Sequence, residues 1–451
     1  MHKDAQPVDS DTSLPALLLA LFVLSLLLRL ACFTGLVGSD DLGYSAYAQR
    51  IAEGRYALEY HHYAIRFGLI VPVGLLYKLF GLSEWSTIAL PLFASSLSVV
   101  LLALIAAQWL DLRAGLVAGL LYATLPVQLR YATILTPEPV AECYVLLGVL
   151  AYVQTDQRAQ IARGILTGVC VGLGYLTKEP ALFLTPALLI HAAMGRQWRN
   201  AFGIAVGVAT VVGAEHAYYL TMTGDILFRP HAMAVHNETR LTVELENNIR
   251  YRLFEAYPRM MIVPNLDFGI HSAAALALAA VACLRFRNDR RIHFLLLWAV
   301  IPWLYLNFGT SSFSQYISLP LAPRYIEFTY PPLILLAAWL IADISPSAIW
   351  LNRMALSSVA AIALVGIGCG LSTRGTGYRA DQMAGLRLVT ADIVQGGGSC
   401  VSYDSGLSQL ERWRSAVAIL THRSLRECTD AAPGIIVRED RLGLPYGASI
   451  P

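Results

Sequence analysis

The sequence predicts a polytopic all-α membrane protein of about 11 transmembrane helices (range 10–13), ending in a small exterior α/β C-terminal segment. Three observations carry that prediction. Of 451 residues, 56% are apolar and only 14% are charged, against about 25% charged in soluble domains. The apolar residues fall in blocks near the roughly 17–25 residues that cross a bilayer. Arginines gather in alternate connections between those blocks, the bias that sets membrane orientation. A net charge of +2 without a clustered basic stripe leaves no electrostatic footprint for nucleic acid as a partner.

Residues 1–13 are polar, and an apolar run over 14–37 follows. That run is long and lacks a small-x-small exit, so it reads as a retained helix, not a cleaved signal. Leu-Ala-Cys at 30–32 faintly resembles a lipoprotein site, but Arg29 interrupts the stretch. Further spans are expected at 87–109, 114–132, 138–154, 163–177, 180–194, 200–220, 269–285, 292–308, 326–343 and 354–371. The segment 66–80 is apolar but short, and it reads as an interfacial or re-entrant helix.

With the N-terminus cytoplasmic, the inner connections hold Arg113, Arg158, Arg163, Arg196, Arg199, Arg285, Arg287, Arg290, Arg291 and Arg353. The opposite orientation would carry all of these across the membrane. The loop 38–86, the loop 221–268 and the tail 372–451 then face outward, and residues 1–371 form the transmembrane module. In the tail, 400–403 and 434–437 look like strands and 406–421 like a helix. Gln-Gly-Gly-Gly-Ser at 395–399 reads as a turn or flexible link, since it lacks the Gly-Lys-Ser/Thr of a phosphate loop. Cys400 and Cys428 are the only cysteines outside the apolar spans. A Cys400–Cys428 disulfide fits an oxidising exterior, and two unpaired thiols are the alternative.

The outer ends of the spans carry ionisable residues that a passive scaffold does not need. Asp40 and Asp41 open the first loop, followed by His61, His62 and Arg66. Arg130 and Glu138 flank the next outer turn, Lys178 and Glu179 the one after, and Arg324, Tyr325 and Glu327 open the tenth span. Charges at membrane depth are costly, and they line cavities or pair with one another. A carboxylate there can take a proton from an acceptor hydroxyl. Basic side chains can hold a phosphate leaving group and neutralise its growing charge. Each residue also has a plainer reading. Asp40–Asp41 could cap the helix over 42–53, and Arg66 or Arg324 could snorkel to headgroups. Lys178 and Glu179 could pair across their own turn, and His61 and His62 could be solvated at the interface. His231 and His236, five apart, do not have the spacing of a helical ligand pair.

The set GSDDLGYSAYAQRIAEG, YHHYAIRFGLIVPVGLLYKLFGLSEWS, RYATILTPEP, GYLTKEPALFL and APRYIEFTYPP resembles bacterial glycosyltransferase family 39. That family comprises relatives of the protein O-mannosyltransferases and of the aminoarabinose transferases acting on lipid A. The resemblance covers roughly residues 14–345. It implies the GT-C membrane fold and an inner (plasma) membrane location with the active site on the periplasmic or extracellular face. It also implies an inverting transfer of a monosaccharide from a polyprenyl-phosphate-linked donor to a lipid, glycan or protein acceptor. By that resemblance Asp40 is the general base and Asp41 its neighbour, where the family usually has Asp-Glu. Arg66, Lys178 and Arg324 fall where donor-phosphate contacts are expected. His61, His62, Arg130, Glu138, Glu179 and Tyr325 are further cavity candidates. The family's His-Lys-Pro segment is absent after His61–His62, with Arg66 standing in for its charge, which argues against aminoarabinose as the sugar. Phosphate is already a good leaving group, which removes the need for a second, protonated carboxylate; the sequence compels no cofactor, and a divalent metal ion is optional. Two other classes compete: a ligase or polymerase of lipid-linked glycans, and a lipid or polysaccharide transporter or flippase. A transporter would place polar sites near the bilayer midplane in paired broken helices, whereas here they collect at one face.

Overall fold

The computed structural model describes residues 13–154, 159–238, 247–310, 316–344, 347–376, 380–395, 400–403, 410–422, 426–427 and 435–437. The chain begins with α1 (Ser13–Ala31), then α2 (Asp40–Ala52) and α3 (Phe67–Phe80), with α4 (Glu84–Trp109) returning along α1. Next come α5 (Leu112–Ala123), α6 (Pro126–Tyr131), α7 (Pro137–Val153) and α8 (Gln160–Thr177). A 3-10 turn over Glu179–Phe183 leads into α9 (Leu184–Met194), followed by α10 (Trp198–Thr223), α11 (Phe228–Glu238) and α12 (Tyr257–Ile262). The body closes with α13 (His271–Arg285), α14 (Arg290–Phe308), a second 3-10 turn (Pro323–Thr329), α15 (Tyr330–Ala342) and α16 (Ile349–Ser372).

Six of the described helical stretches are long and apolar enough to cross a membrane: Leu14–Ala31, α4, α10, α14, Pro323–Ala342 and α16. This corrects the expected eleven. The apolar interval 114–132 is two pieces, α5 and α6, broken ahead of Pro126. The interval 180–194 starts as the 3-10 turn at Glu179–Phe183 and leaves only 11 residues in α9. At 1.5 Å per residue, the 15 residues of α13 reach about 22 Å, short of a hydrocarbon core of about 30 Å. Apolar composition overcounts because it registers neither where a helix breaks nor how short the unbroken piece is. Segment 66–80, expected as an interfacial helix, forms the short α3.

Small residues let the helices approach closely. A Cβ added at Gly168 of α8 would lie 2.2 Å from the Ile204 carbonyl oxygen of α10, and one at Gly203 would lie 2.4 Å from that of Ile161. This is backbone-to-backbone packing, in which contact area replaces the hydrophobic drive that lipid does not supply. Arg29 is fully buried in α1; its Nε donates to Ser95 Oγ at 2.7 Å and its Nη1 to Ser25 Oγ at 2.6 Å, pinning α1 to α4.

Arginines tie one end of the bundle. Arg291 donates to the Trp109 carbonyl (2.7 Å), Arg113 to that of Ile344 (2.9 Å), and Arg285 pairs with Asp343 (3.2 Å). These lie at the C-terminal ends of α4 and α15 and the N-terminal end of α14. The polar shelf built on α2 lies at the other ends of the same helices.

In the tail, α17 (Ala380–Gln395) and α18 (Leu410–Thr421) pack onto the body, and Met383, Leu386, Trp413, Val417 and Ile419 are buried in its hydrophobic core. Strands β1 (Cys400–Tyr403), β2 (Arg426–Glu427) and β3 (Ile435–Val437) pair in parallel in the order β2-β1-β3. They are four, two and three residues long. The expectation of an α/β C-terminal segment is corrected accordingly: the tail's packing against the body is helical, and the fold class is all-α. Cys428 and the expected pairing with Cys400 lie outside the described residues. Cys32, Cys143, Cys170, Cys283 and Cys369 are free thiols.

Candidate active site

The site starts with the way α2 begins. Gly35 and Gly38 both have φ of +75°, a conformation that disfavours side chains. They fold the 32–39 loop back over the helix start. Asp41, fully buried, accepts backbone N–H groups from Val37 (2.8 Å), Gly38 (3.3 Å) and Ser39 (2.6 Å). It therefore ties down the loop ahead of the helix, and its partners are loop N–H groups, not those of the helix's own first turn. Burial pushes its carboxyl above the usual carboxylate range, against those three donors.

Asp40, one residue earlier, projects into open space. Its Oδ1 accepts from the Tyr63 hydroxyl at 2.7 Å and its Oδ2 from Arg324 Nη2 at 2.5 Å. Burial alone would raise its carboxyl, but Arg324, the Tyr63 hydroxyl and Lys178 together hold it below the usual range. Arg324 Nε lies 3.4 Å from Glu138 Oε1, and Lys178 Nζ donates to that same oxygen at 2.7 Å. The Lys178 ammonium also stands 3.7 Å from the Tyr325 ring centre. Carboxylates and cations thus alternate from Asp40 through Arg324 and Glu138 to Lys178, joining α2, the Pro323 turn, α7 and the end of α8. Lys178 pairs with Glu138 and not across its turn with Glu179.

A second alternating chain lies alongside. Arg66 is paired with Glu179, whose other oxygen accepts from Arg229 Nη1 at 2.7 Å. Arg229, 2% exposed, also donates to Glu215 (2.5 Å) and to the Ile65 carbonyl (2.6 Å). Beneath the site a third group is buried: Gln128 Nε2 donates to Glu142 Oε2 at 2.5 Å and lies 3.3 Å from Glu327 Oε2.

Two cavities meet at Asp40. One, of about 280 Å³, is lined by Asp40, Tyr44, His62, Arg66, Lys178, Glu179, Arg229 and Tyr325, and by an apolar wall that includes Leu182, Phe183, Met233, Leu306 and Leu319. The other, of about 390 Å³, is lined by Asp40, Asp41, Arg130, Tyr131, Thr136 and Arg324. Asp40 alone is common to both linings. Arg130 is held by Asp267 at 2.6 Å. Glu138, 1% exposed, sits behind the wall. His61 packs against the His62 and Tyr63 rings, each 4.6 Å away, and burial and Arg412 lower its pKa. Among the described residues, no group of three His, Cys, Asp or Glu side chains is arranged to hold a metal ion.

The structure therefore gathers Asp40, His62, Arg66, Lys178, Glu179 and Tyr325 around one cavity, and Asp40, Asp41, Arg130 and Arg324 around the other. Sequence reasoning missed Tyr63, Arg229 and Glu215. An arginine before a proline in the long 221–268 loop, and a glutamate near the end of an apolar span, were the available signals.

The helix arrangement defines the class, a multi-pass membrane protein, and two solved structures give its fold as GT-C. The solved structure of ArnT from Cupriavidus metallidurans bound to undecaprenyl phosphate aligns with a TM-score of 0.65 at 17% identity, covering 94% of this chain and 87% of that one. The oligosaccharyltransferase of Archaeoglobus fulgidus in its apo form aligns at 0.60 and 11% identity, covering 92% of this chain and 64% of that one. At the sequence level, residues 72–219 match the family model for dolichyl-phosphate-mannose-protein mannosyltransferase. The lipid A galacturonosyltransferase RgtD of Rhizobium johnstonii is 26% identical over 188 residues, 41% of this chain and 37% of that protein's length. The chain is thus matched to little more than a third of that relative.

Proposed function

We propose that the protein is an inverting glycosyltransferase that moves a monosaccharide from a polyprenyl-phosphate donor to an acceptor at the exterior face of the membrane. The observation that carries this reading is the position of Asp40, the one carboxylate shared by an apolar-walled cavity rich in cations and a second, more polar cavity. The apolar wall suits a polyprenyl chain. Lys178, Arg66 and Arg229 face the space where its phosphate would lie. Inversion requires the acceptor to attack from the side opposite the leaving phosphate, and two separately lined cavities that share Asp40 leave room for a donor in one and an acceptor in the other.

The step balances as one displacement. Asp40 takes the proton of the acceptor hydroxyl while that oxygen bonds to the anomeric carbon, and the bond from that carbon to the phosphate oxygen breaks with its electron pair. Although Asp40 already accepts two hydrogen bonds, a carboxylate offers about four lone-pair sites. The growing phosphate charge is met by the cations. Phosphate leaves without help from a second, protonated carboxyl, unlike the sugar leaving group of a glycosidase. The arginine-tied end of the bundle is then cytoplasmic, and the shelf with the tail is periplasmic or extracellular.

The test is transfer by the purified full-length protein in lipid nanodiscs. Undecaprenyl-phosphate galacturonate with lipid A is the first pair, chosen from the chemistry in the names of the similar proteins, followed by other sugars and by peptide and glycan acceptors. Label on the acceptor, with inverted configuration and release of undecaprenyl phosphate free of pyrophosphate, supports the reading. No turnover with any polyprenyl-phosphate sugar overturns it.

A further inference from the structure

We propose that Arg412, on the C-terminal helix α18, is a positioning residue for Asp40 and acts through Tyr63. This rests on the assignment of Asp40 as the base. The Tyr63 hydroxyl donates to Asp40 Oδ1 at 2.7 Å, and the Arg412 guanidinium carbon lies 4.7 Å from the centre of the Tyr63 ring. From other sides the ring is packed by His62, 3.8 Å between centres, and Tyr44, 4.8 Å. A cation over a phenol face is attracted to the ring's negative quadrupole. It also withdraws electron density from the phenol, which makes its O–H a better donor to the carboxylate.

Arg412 is held firmly enough to act this way. The helix it sits on packs against α2, and its neighbours Trp413, Ala416 and Val417 are at most 1% exposed. A second strut reaches the same shelf. Arg387 of α17 pairs bidentately with Glu84 (2.8 and 2.5 Å), and Glu84 Oε1 accepts the Leu36 N–H at 2.9 Å in the loop leading to Asp40. The tail thus braces both the approach to the base and its hydrogen-bond donor. Arg412 lines neither cavity, so its influence falls on the base and not on substrate contact. Asp40 is faced by Arg324, Lys178, Tyr63, Tyr44, His61 and Asp41, and Arg412 adds to the groups holding its carboxyl down.

The experiment uses full-length Arg412→Gln, Arg412→Lys, Tyr63→Phe and the double variant Arg412→Gln/Tyr63→Phe in the transfer assay, with kcat, donor KM, pH–rate profile and thermal unfolding in detergent. Arg412→Gln is expected to lower kcat by about tenfold, to leave donor KM within about twofold of wild type, and to move the acid limb to higher pH. Arg412→Lys restores most of the rate. In the Tyr63→Phe background, Arg412→Gln costs little more, since the two act in series. Three results overturn the proposal: an unchanged kcat and acid limb, full additivity with Tyr63→Phe, or a rate loss that follows a lowered unfolding temperature and is not rescued by lysine. Absence of turnover in the wild type overturns the transferase reading itself, whereas wild-type turnover with an insensitive Arg412→Gln overturns only the positioning role.

Discussion

Replacing Asp40 by asparagine separates chemistry from architecture more cleanly than any other substitution in this molecule. The amide keeps the shape of the carboxyl and an oxygen to accept the Tyr63 hydroxyl, now 2.7 Å away. It removes the charge and any capacity to take a proton at neutral pH. Loss of a positioned general base costs about 10²–10⁴-fold in rate, or about 2.7–5.5 kcal/mol of barrier. The structural cost is smaller. Arg324 loses its 2.5 Å partner but keeps Glu138 at 3.4 Å, and the broken pair is partly accessible, with side chains 27% and 18% exposed. Such a pair lies between exposed bridges of about 0–1 kcal/mol and buried ones whose disruption costs about 3–5 kcal/mol, so about 1–2 kcal/mol of stability is expected. The assay is single-turnover transfer from undecaprenyl-phosphate sugar, paired with undecaprenyl-phosphate binding and thermal unfolding in detergent. The expected outcome is a rate lowered at least about a hundredfold with donor binding retained. A variant that keeps more than about a tenth of wild-type kcat refutes the base assignment.

Lys178→Met should weaken undecaprenyl-phosphate binding by about 10–100-fold, the loss of one charge-assisted contact of about 1.5–3 kcal/mol; a titration showing unchanged affinity counts against a phosphate role. The pH–rate profile follows from the depressed Asp40 carboxyl. The base form is fully present above the ordinary aspartate value of about 3.9 and is lost only as pH falls through the lower folded value. Activity limited by Asp40 should thus hold down to about pH 4, and Arg324→Gln should move the acid limb upward; a limb that stays fixed removes Arg324 as the cause. Gly168→Val forces α8 and α10 apart, because a Cβ there lies 2.2 Å from the Ile204 carbonyl oxygen. Overpacking of this kind costs about 1–3 kcal/mol, read as a lower unfolding temperature in detergent, and wild-type stability would show that the two helices are not in backbone contact.

The sequence by itself determined that the chain is a helical membrane protein and which of its ends carries the polar residues. Both follow from local quantities: the length of apolar runs, and the cost of placing charge in hydrocarbon. It also brought Asp40, Arg66, Lys178 and Arg324 forward as charges at span ends. Residue chemistry alone could not tell Asp40 from Asp41, and only the family resemblance favoured Asp40. The difference lies in the positive-φ glycines that turn the loop, sending the second carboxylate to three backbone N–H groups and the first into the cavity.

The tertiary structure alone decided the partners. Lys178 reaches 40 positions back to Glu138, and Arg324 reaches 284 positions back to Asp40; separations of that kind leave no periodic signal. Tyr63 and Arg229 read as one more loop tyrosine and one more loop arginine until the fold sets them beside Asp40 and Glu179. The span count went astray for a related reason. An apolar run of 11–15 residues packed among longer helices satisfies the same composition rule as a true span, and only its neighbours reveal how far it reaches.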